Sequence, residues 1–153
     1  MEVADVTVRE ATAGDLGRIA ALISMGALGS SVERPEELAP YVAAFEEISS
    51  SSSTVLVAEL GRIVVGTLQL IVFRHLQHNG GLCAELESVH VDPELRSHGI
   101  GGVLVEAAVE RARALGCYRV QLTSNEQRPD AHRFYERHGF VMSHRGFKRM
   151  LSD

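Results

Sequence analysis

Features that would place this chain in a specialised structural class are scarce or missing. No apolar run approaches the roughly 20 residues that a membrane-spanning helix needs, and no internal repeat is visible. The two cysteines, Cys83 and Cys117, stand apart without metal-ligand spacing or a CxxC pair. His75 and His78 have no third potential metal ligand near them in the sequence. We therefore expect no membrane span and no metal, and we expect both thiols to be buried or reduced.

An excess of basic residues is also missing. The sequence has 15 Lys and Arg against 20 Asp and Glu, a net charge of −5. Nucleic-acid binding needs a basic surface, so we expect no general nucleic-acid binding, although a local basic patch is compatible with this charge. The first residues, Met-Glu-Val-Ala-Asp, lack the basic flank and apolar core of a signal peptide, which favours a cytoplasmic protein. At 153 residues, the chain is long enough to bury a core as one domain, residues 1–153.

Hydrophobic periodicity predicts alternating strands and helices. The predicted order is β-α-α-β-β-β-α-β-α-β, with one more closing strand as an option, and five serines at 49–53 form a connector between the second helix and the next strand. Pro35 and Pro40 compete to mark the first turn of that helix. Gly61 lies in a hairpin turn, and Gly66 marks a bulge or a close backbone contact. The predicted strands are 3–9, 54–59, 63–73, 86–91, 118–123, 140–143 and 147–151.

The central feature is a strand, a glycine turn and a helix. The strand stops at Asp92-Pro93, because proline cannot donate to a strand ladder. A glycine-rich turn with Gly99, Gly101 and Gly102 then opens a helix, whose apolar stripe begins at Ile100 and ends before Gly116. Such a turn directs several amide N–H groups at a helix start, where an anion is attracted to the donors and to the helix dipole. Arg96 adds a planar cation suited to phosphate. The alternative is a plain strand-to-helix turn with a surface arginine.

Two motifs carry a family resemblance. Residues 96–101, Arg-Ser-His-Gly-Ile-Gly, resemble the R-x-x-G-x-G/A signature of the GCN5-related N-acetyltransferases (GNAT family), and residues 131–140 resemble the later A-x-x-F-Y-x-x-x-G-F segment of that family. The resemblance implies a single-domain α/β acyl-CoA N-acyltransferase fold. Its sheet is mixed and mostly antiparallel, with a central parallel strand pair that splays apart.

The resemblance also implies acetyl-CoA as the acyl donor. It places the pyrophosphate on the amides of 97–102 and the pantetheine arm along Val89 and Val91. Arg128 or Arg133 would meet the 3′-phosphate or remain surface charges. For His90, a structural or surface role is the alternative to cofactor binding. The implied cofactor-binding residues are Val89, His90, Val91, Arg96, Ser97, His98, Gly99, Ile100, Gly101, Gly102, Asn125 and Arg133.

Candidate catalytic groups follow from strand alternation and from the motifs. Alternation places Glu85 and Glu87 on the face of Val89 and Val91. A carboxylate there can remove the proton from a substrate ammonium. By the resemblance, Glu87 is the preferred base and Glu85 its partner or the ammonium anchor; solvated edge charges are the alternative. Tyr135 matches the family's tyrosine that protonates the departing thiolate, with plain core packing as its alternative.

These features together predict an N-acetyltransferase that transfers an acetyl group directly to a primary amine of a small molecule or peptide. Backbone N–H of Val89 would stabilise the tetrahedral intermediate. An acyl-CoA-binding sensor without turnover is the alternative, and a tRNA- or ribosome-directed enzyme is disfavoured by the negative charge. A homodimer is compatible with the resemblance.

Overall fold

The sheet contains five strands in the order β1-β2-β3-β4-β5 in the computed structural model, which describes residues 2–152. The strands are β1 (Val6–Glu10), β2 (Thr54–Leu60), β3 (Ile63–Arg74), β4 (Leu82–Val91) and β5 (Arg119–Leu122). Neighbours from β1 to β4 pair antiparallel, and β4 pairs with β5 in parallel. The predicted mixed, mostly antiparallel sheet is therefore confirmed.

Helices cover both faces of this sheet. They are α1 (Leu16–Met25), α2 (Ala39–Ser49), the irregular single turn α3 (Gln77–Gly80), α4 (Ile100–Ala114) and α5 (Pro129–Arg137). Pro40 is the second residue of α2, so it marks the first turn in preference to Pro35. Short 3₁₀ turns at Val3–Asp5, Ala13–Asp15 and Pro93–Leu95 precede β1, α1 and α4.

The two faces bury separate clusters because β2 side chains alternate. Leu56 and Ala58 pack with the α4 residue Leu104, whereas Val57 packs with the α1 residues Leu16 and Ile19. All of these side chains are buried. The sheet is thus covered by α4 on one face and by α1 with α2 on the other.

Gly66 combines the two roles that the sequence left open. The β2–β3 register pairs Ala58 with Gly66 and then Glu59 with Val64, which leaves Val65 as the extra residue of a bulge. A Cβ on Gly66 would lie 2.8 Å from Cδ1 of Leu104. Glycine therefore permits both the bulge and the close approach of α4.

The C-terminal end of the chain corrects the sequence prediction. Residues 140–152, as the structure describes them, contain none of the predicted closing strands 140–143 and 147–151. A strand needs a ladder partner, and within residues 2–152 the strand β5 pairs only with β4. The observed order therefore ends at α5. Of the helices among residues 2–152, none has the length and apolar character needed to cross a membrane.

Candidate active site

The sheet opens between its two parallel strands. Pairing of β4 with β5 runs from Cys83 opposite Arg119 to Leu86 opposite Leu122. Because β5 ends there and β4 continues to Val91, the last five residues of β4 have no β5 neighbour. The predicted splay of the central pair is confirmed, and it exposes one backbone edge of β4.

A bulge lies in this unpaired part of β4. The β3–β4 register passes from Gln69 opposite Glu87 to Thr67 opposite His90, so Ser88 and Val89 have no partner residue. Ser88 has φ of +53°, an uncommon value for a residue with a side chain. The bulge leaves the backbone of Val89 outside the ladder, at the open edge.

The bulge also corrects the predicted alternation of side chains. Val89 and Val91 pack against the α4-side cluster, as Leu86 does, and are not on the face of Glu85 and Glu87. Strict alternation fails because the extra residue reverses the face of every side chain that follows it. Nothing in the residue types of β4 signals this reversal.

The two carboxylates lie on the face covered by α1 and α2. Glu87 is exposed and lies opposite Gln69, and Glu85 is half-buried, with its Oε2 3.5 Å from Nε2 of Gln121. A cavity of about 160 Å³ lies between these helices and the sheet, near Glu87. Its floor includes Gln69 and Ser88, and its walls are mostly apolar side chains: Leu16, Ile19, Ile23, Tyr41, Phe45 and Ile48.

The turn after β4 is held from both sides. Oδ1 of Asp92 accepts from the backbone N–H of Glu94 at 3.0 Å, and Oδ2 accepts from Nη2 of Arg18 at 2.7 Å. These two bonds hold the pKa of the Asp92 carboxyl below its usual value. Nε of Arg18 also donates to the Val64 carbonyl at 2.9 Å. Helix α1 thus fixes the start of the glycine turn against β3.

Residues 97–102 present a row of free amides at the start of α4. Ser97 and Gly99 have φ of +66° and +82°, and none of these six backbone N–H groups donates to a protein acceptor within residues 2–152. Nδ1 of His98 lies 2.9 Å from the Arg96 carbonyl, to which it donates. Arg96 itself is exposed. Unsatisfied amides at a helix start form an anion site, so these residues fit a pyrophosphate.

Gly101 and Gly102 have a second role that the sequence motif does not indicate. A Cβ on Gly101 would lie 3.4 Å from Cζ of Phe134, and one on Gly102 would lie 3.0 Å from Cε1 and Nε2 of His138. Nδ1 of His138 lies 2.9 Å from the Glu106 carboxylate. The glycines therefore let α5 approach the first turn of α4.

Tyr135 lies on α5 in an aromatic cluster. Its ring centroid is 5.1 Å from that of Phe134 and 5.8 Å from that of Phe140, with edge-on geometry in both pairs. Burial raises the pKa of the Tyr135 hydroxyl above its ordinary value of 10.0, partly offset by the nearby Arg128 cation. The hydroxyl therefore remains protonated at neutral pH, as a general acid must.

His90 and Arg128 form a contact between distant parts of the chain. The Arg128 guanidinium donates to the carbonyl of Gly26 at the end of α1. The ring of His90 lies against Gly26, where an added Cβ would be 2.1 Å from Nδ1. Burial lowers the pKa of His90, and the Arg128 and Arg96 cations lower it further. This contact differs from the two predicted roles of Arg128, a 3′-phosphate ligand or a surface charge, because a carbonyl 102 residues away leaves no local signal in the sequence.

Asn125 and Arg133 engage local partners. Oδ1 of Asn125 accepts from the backbone N–H of Gln127 at 2.9 Å. The Arg133 guanidinium pairs with Asp130 on the same helix. Cys83 is buried and Cys117 half-buried, and both are free thiols, as predicted. Across residues 2–152, no three His, Cys, Asp or Glu side chains are grouped so as to hold a metal ion.

A mixed sheet that opens beside a glycine turn and a helix start defines the acyl-CoA N-acyltransferase class of fold. A family model described as the acetyltransferase (GNAT) family matches residues 23–140. The chain therefore belongs to the acetyltransferase (GNAT) family, as its two motifs predicted.

Curated relatives with a named reaction match about half of the chain. Aminoalkylphosphonate N-acetyltransferase of Salmonella typhimurium is 39% identical over 88 residues, which is 58% of this chain and 56% of the relative. Glucosamine 6-phosphate N-acetyltransferase of Trypanosoma brucei brucei is 38% identical over 80 residues, 52% of each chain. The chain thus spans about half the length of these relatives.

Solved structures match nearly the whole chain. A structure described as a transcriptional regulator from Bacillus halodurans C-125 has a TM-score of 0.90 and 42% identity, covering 95% of this chain and 99% of the other. Glucosamine-6-phosphate N-acetyltransferase from Arabidopsis thaliana has a TM-score of 0.80 and 24% identity, covering 96% and 99%. At that identity, the Arabidopsis structure supports the fold alone.

Proposed function

We propose that residues 1–153 form one acetyltransferase domain that transfers the acetyl group of acetyl-CoA to a primary amine of a small molecule. The observation that carries this proposal is the row of six free amides at 97–102, beside the open edge of β4. These donors suit the pyrophosphate of CoA, and the open edge suits the amide groups of its pantetheine arm. Family membership supports the same donor.

The proposed chemistry uses groups on both sides of the opening. Acetyl-CoA supplies a thioester whose carbon the amine attacks. Glu87, with Glu85 as partner, would take the proton from the ammonium and expose its lone pair. Val89, outside the ladder at the bulge, would donate its N–H to the oxygen that gains charge. Tyr135 would return a proton to the departing thiolate, and no covalent enzyme intermediate is required.

The proposed acceptor is a small amine that carries a phosphate or phosphonate group. The Salmonella and Trypanosoma relatives are each named for an acceptor of this kind. In this chain, the cations of Arg128 and Arg96 lower the pKa of His90. His90 lies in the part of β4 that extends beyond its pairing with β5. Glu87 lies on the same strand as His90, so an acceptor with an ammonium and an anion would meet both signs of charge.

Free-thiol release from acetyl-CoA tests the proposal across an amine panel. We expect the highest kcat/KM with aminoalkylphosphonates or hexosamine phosphates, and lower values with uncharged homologues of the same carbon skeleton. Arg128→Gln should raise KM for the anionic acceptors and leave KM for the uncharged ones nearly unchanged; Arg137→Gln, at the exposed end of α5, is the matched control. Equal kcat/KM for charged and uncharged acceptors would refute the acceptor class.

A second candidate is an acyl-CoA-binding regulatory module without turnover. It is favoured by the description of the Bacillus halodurans structure as a transcriptional regulator, at 42% identity over nearly the whole chain. Tight CoA binding without thiol release for any amine of the panel would support this candidate over the enzyme. A cytoplasmic location and a homodimer are proposed with either function.

A further inference from the structure

The cavity of about 160 Å³ under α1 and α2 is large for a packed protein, whose interior leaves few spaces bigger than a water molecule. Helix α1 buries four of its side chains against the sheet, whereas none of the 11 residues of α2 is buried. Helix α2 therefore does not approach closely enough to fill the space beneath it. An apolar cavity of about 150 Å³ is large enough to hold a benzene ring.

The lining of this cavity suits an apolar group. No charged side chain lines it within residues 2–152, and most of the lining is apolar. The Tyr41 hydroxyl is already bonded, because it donates to Glu33 at 3.2 Å and accepts from the backbone N–H of Arg34 at 2.9 Å. The Thr67 hydroxyl donates to the carbonyl of Leu56 at 3.0 Å. These two polar groups thus have partners in the protein and need none from a ligand.

Two polar side chains in the cavity floor are different. Neither the hydroxyl of Ser88 nor the side-chain amide of Gln69 makes a hydrogen bond within the part of the chain that the structure describes, residues 2–152. Ser88 follows Glu87 in the chain, and Gln69 lies directly opposite Glu87 in the β3–β4 register. Opposite residues of an antiparallel pair have adjacent side chains. The two free polar groups therefore border both the apolar space and the carboxylate proposed as the base.

The backbone of Ser88 supports a role for its hydroxyl. Its φ of +53° lies in the left-handed region, where a side chain carries an energetic penalty that glycine avoids. Strained residues of this kind concentrate at binding and catalytic sites, where the rest of the structure holds them in place. A serine at a position that favours glycine therefore indicates that the side chain is used.

We propose that the cavity holds an apolar side group of the acceptor, up to the size of a phenyl ring, while Ser88 and Gln69 accept hydrogen bonds from the acceptor's ammonium group. This inference rests on the proposed amine acetylation and specifies its substrate. The preferred acceptors are amines whose amine-bearing carbon also carries a branched aliphatic or aromatic group. Among aminoalkylphosphonates, those with such a side group would bind better than aminomethylphosphonate.

A series of 1-aminoalkylphosphonates tests this proposal, with hydrogen, methyl, isobutyl or phenyl as the side group. With acetyl-CoA as the donor, kcat/KM should rise by roughly fourfold for each methylene group that enters the cavity. Calorimetry of the same amines with the CoA-loaded chain should give the same order of affinities. The binding measurement does not depend on turnover, so it separates the cavity assignment from the proposed reaction.

Two neighbouring alanines on α2 provide a matched pair of variants. Ala44 lines the cavity and Ala43 does not, and both are exposed, so both variants should fold. Ala44→Leu should fill part of the cavity and lower kcat/KM for the phenyl compound by at least about tenfold, with little change for aminomethylphosphonate. Ala43→Leu should match the native chain with both compounds.

Ser88→Ala tests the polar part of the proposal. Alanine keeps a similar backbone penalty and removes only the hydroxyl, so stability should change little. We expect KM to rise by about tenfold for every amine of the series, because each ammonium loses one hydrogen bond, and CoA affinity to stay unchanged. An unchanged KM would overturn the role of Ser88.

The outcomes separate this proposal from the proposed function. Equal kcat/KM and equal affinity across the series would overturn the cavity assignment and leave amine acetylation intact. If no amine is acetylated, the proposed function fails; binding that depends on the side group and is abolished by Ala44→Leu would still support the cavity assignment, and any other binding result would overturn it. A higher rate with longer acyl-CoA donors that Ala44→Leu removes would also overturn it, because the cavity would then hold the acyl group.

Discussion

Tyr135 combines burial with a hydroxyl whose pKa is raised above 10.0, so it holds its proton through the neutral range. Replacing Tyr135 by Phe keeps the ring in its aromatic cluster and removes only the proton donor. We expect kcat to fall by about 10²–10⁴-fold, the usual contribution of a positioned acid, with CoA affinity nearly unchanged. Thiol release measures kcat, and calorimetry with CoA measures affinity.

Tyr118→Phe is the matched control for that substitution. Its hydroxyl lies 2.7 Å from Nε2 of His75, a pair that has no role in the proposed chemistry. This control should retain turnover. Equal turnover of Tyr135→Phe and the native chain would remove the acid role from Tyr135 and leave its packing role.

Glu87 and Glu85 can be separated because they differ in exposure and contacts. Glu87→Gln should lower turnover by about 10²–10⁴-fold and flatten the acidic limb of the pH–rate profile, since only a carboxylate accepts the ammonium proton. Glu85 lies next to Gln121, and we expect Glu85→Gln to change KM more than it changes the acidic limb of the profile. If the limb instead survives in Glu87→Gln and disappears in Glu85→Gln, the two roles are exchanged.

At the scale of elements, α4 and the turn before it carry the cofactor proposal. Gly99 precedes α4 with φ of +82°, and a Cβ there would lie 2.8 Å from Cγ2 of Val3. Gly99→Ala should therefore lower the free energy of unfolding by about 1–2 kcal/mol and also displace the amides of 97–102. We expect CoA binding, measured by calorimetry, to weaken by at least tenfold.

The opposite end of α4 offers a matched control. Gly116 has φ of +86° with open space around its Cα, so Gly116→Ala carries the same backbone penalty far from the turn. It should lose comparable stability in urea denaturation and keep native CoA affinity. Equal weakening of CoA binding by both variants would show that the effect is global instability and not loss of the amide row.

At the scale of the whole molecule, one charged cluster joins the first strand, the 3₁₀ turn that precedes α1 and the second strand. Arg9 donates to Asp15 at 2.7 and 3.0 Å and to Glu59 at 2.7 and 3.0 Å. The hydrogen bond to Arg9 is the main cause that lowers the pKa of Asp15 below its ordinary value of 3.8, and the same bonds raise the pKa of Arg9. The cluster therefore links folding stability to pH.

Asp15→Asn tests that link. Because the folded state lowers the pKa of Asp15, its contribution is fully present above pH 3.8 and is lost as the pH falls through the lower folded-state value. We expect Asp15→Asn to cost about 1–2 kcal/mol at pH 7 and progressively less below pH 4, by urea denaturation. Asp130→Asn, an exposed carboxylate on α5, should cost little at either pH; a pH-independent loss for Asp15→Asn would contradict the ion-pair explanation.

Local patterns predicted most of the elements. Apolar periodicity located β2, β3, α1 and α4, and the glycines of 99–102 indicated the turn, because these signals depend on neighbouring residues only. The bulge at Ser88 was not predicted, since its residue types do not differ from those of a regular strand. The missing C-terminal strands were wrongly predicted, since alternation shows that a segment can form a strand but not whether an edge accepts it.

The amino-acid sequence by itself determined the family, the α/β class and the position of the glycine turn. Short motifs and hydrophobic periodicity suffice for these features because they reflect the local conformation of the backbone. Only the tertiary structure decided which face each β4 side chain occupies, since one bulge reverses them all. It also decided the approach of Arg128 to Gly26 and the free edge of β5. These features depend on residues far apart in the chain, whose proximity is set by packing and not by local sequence.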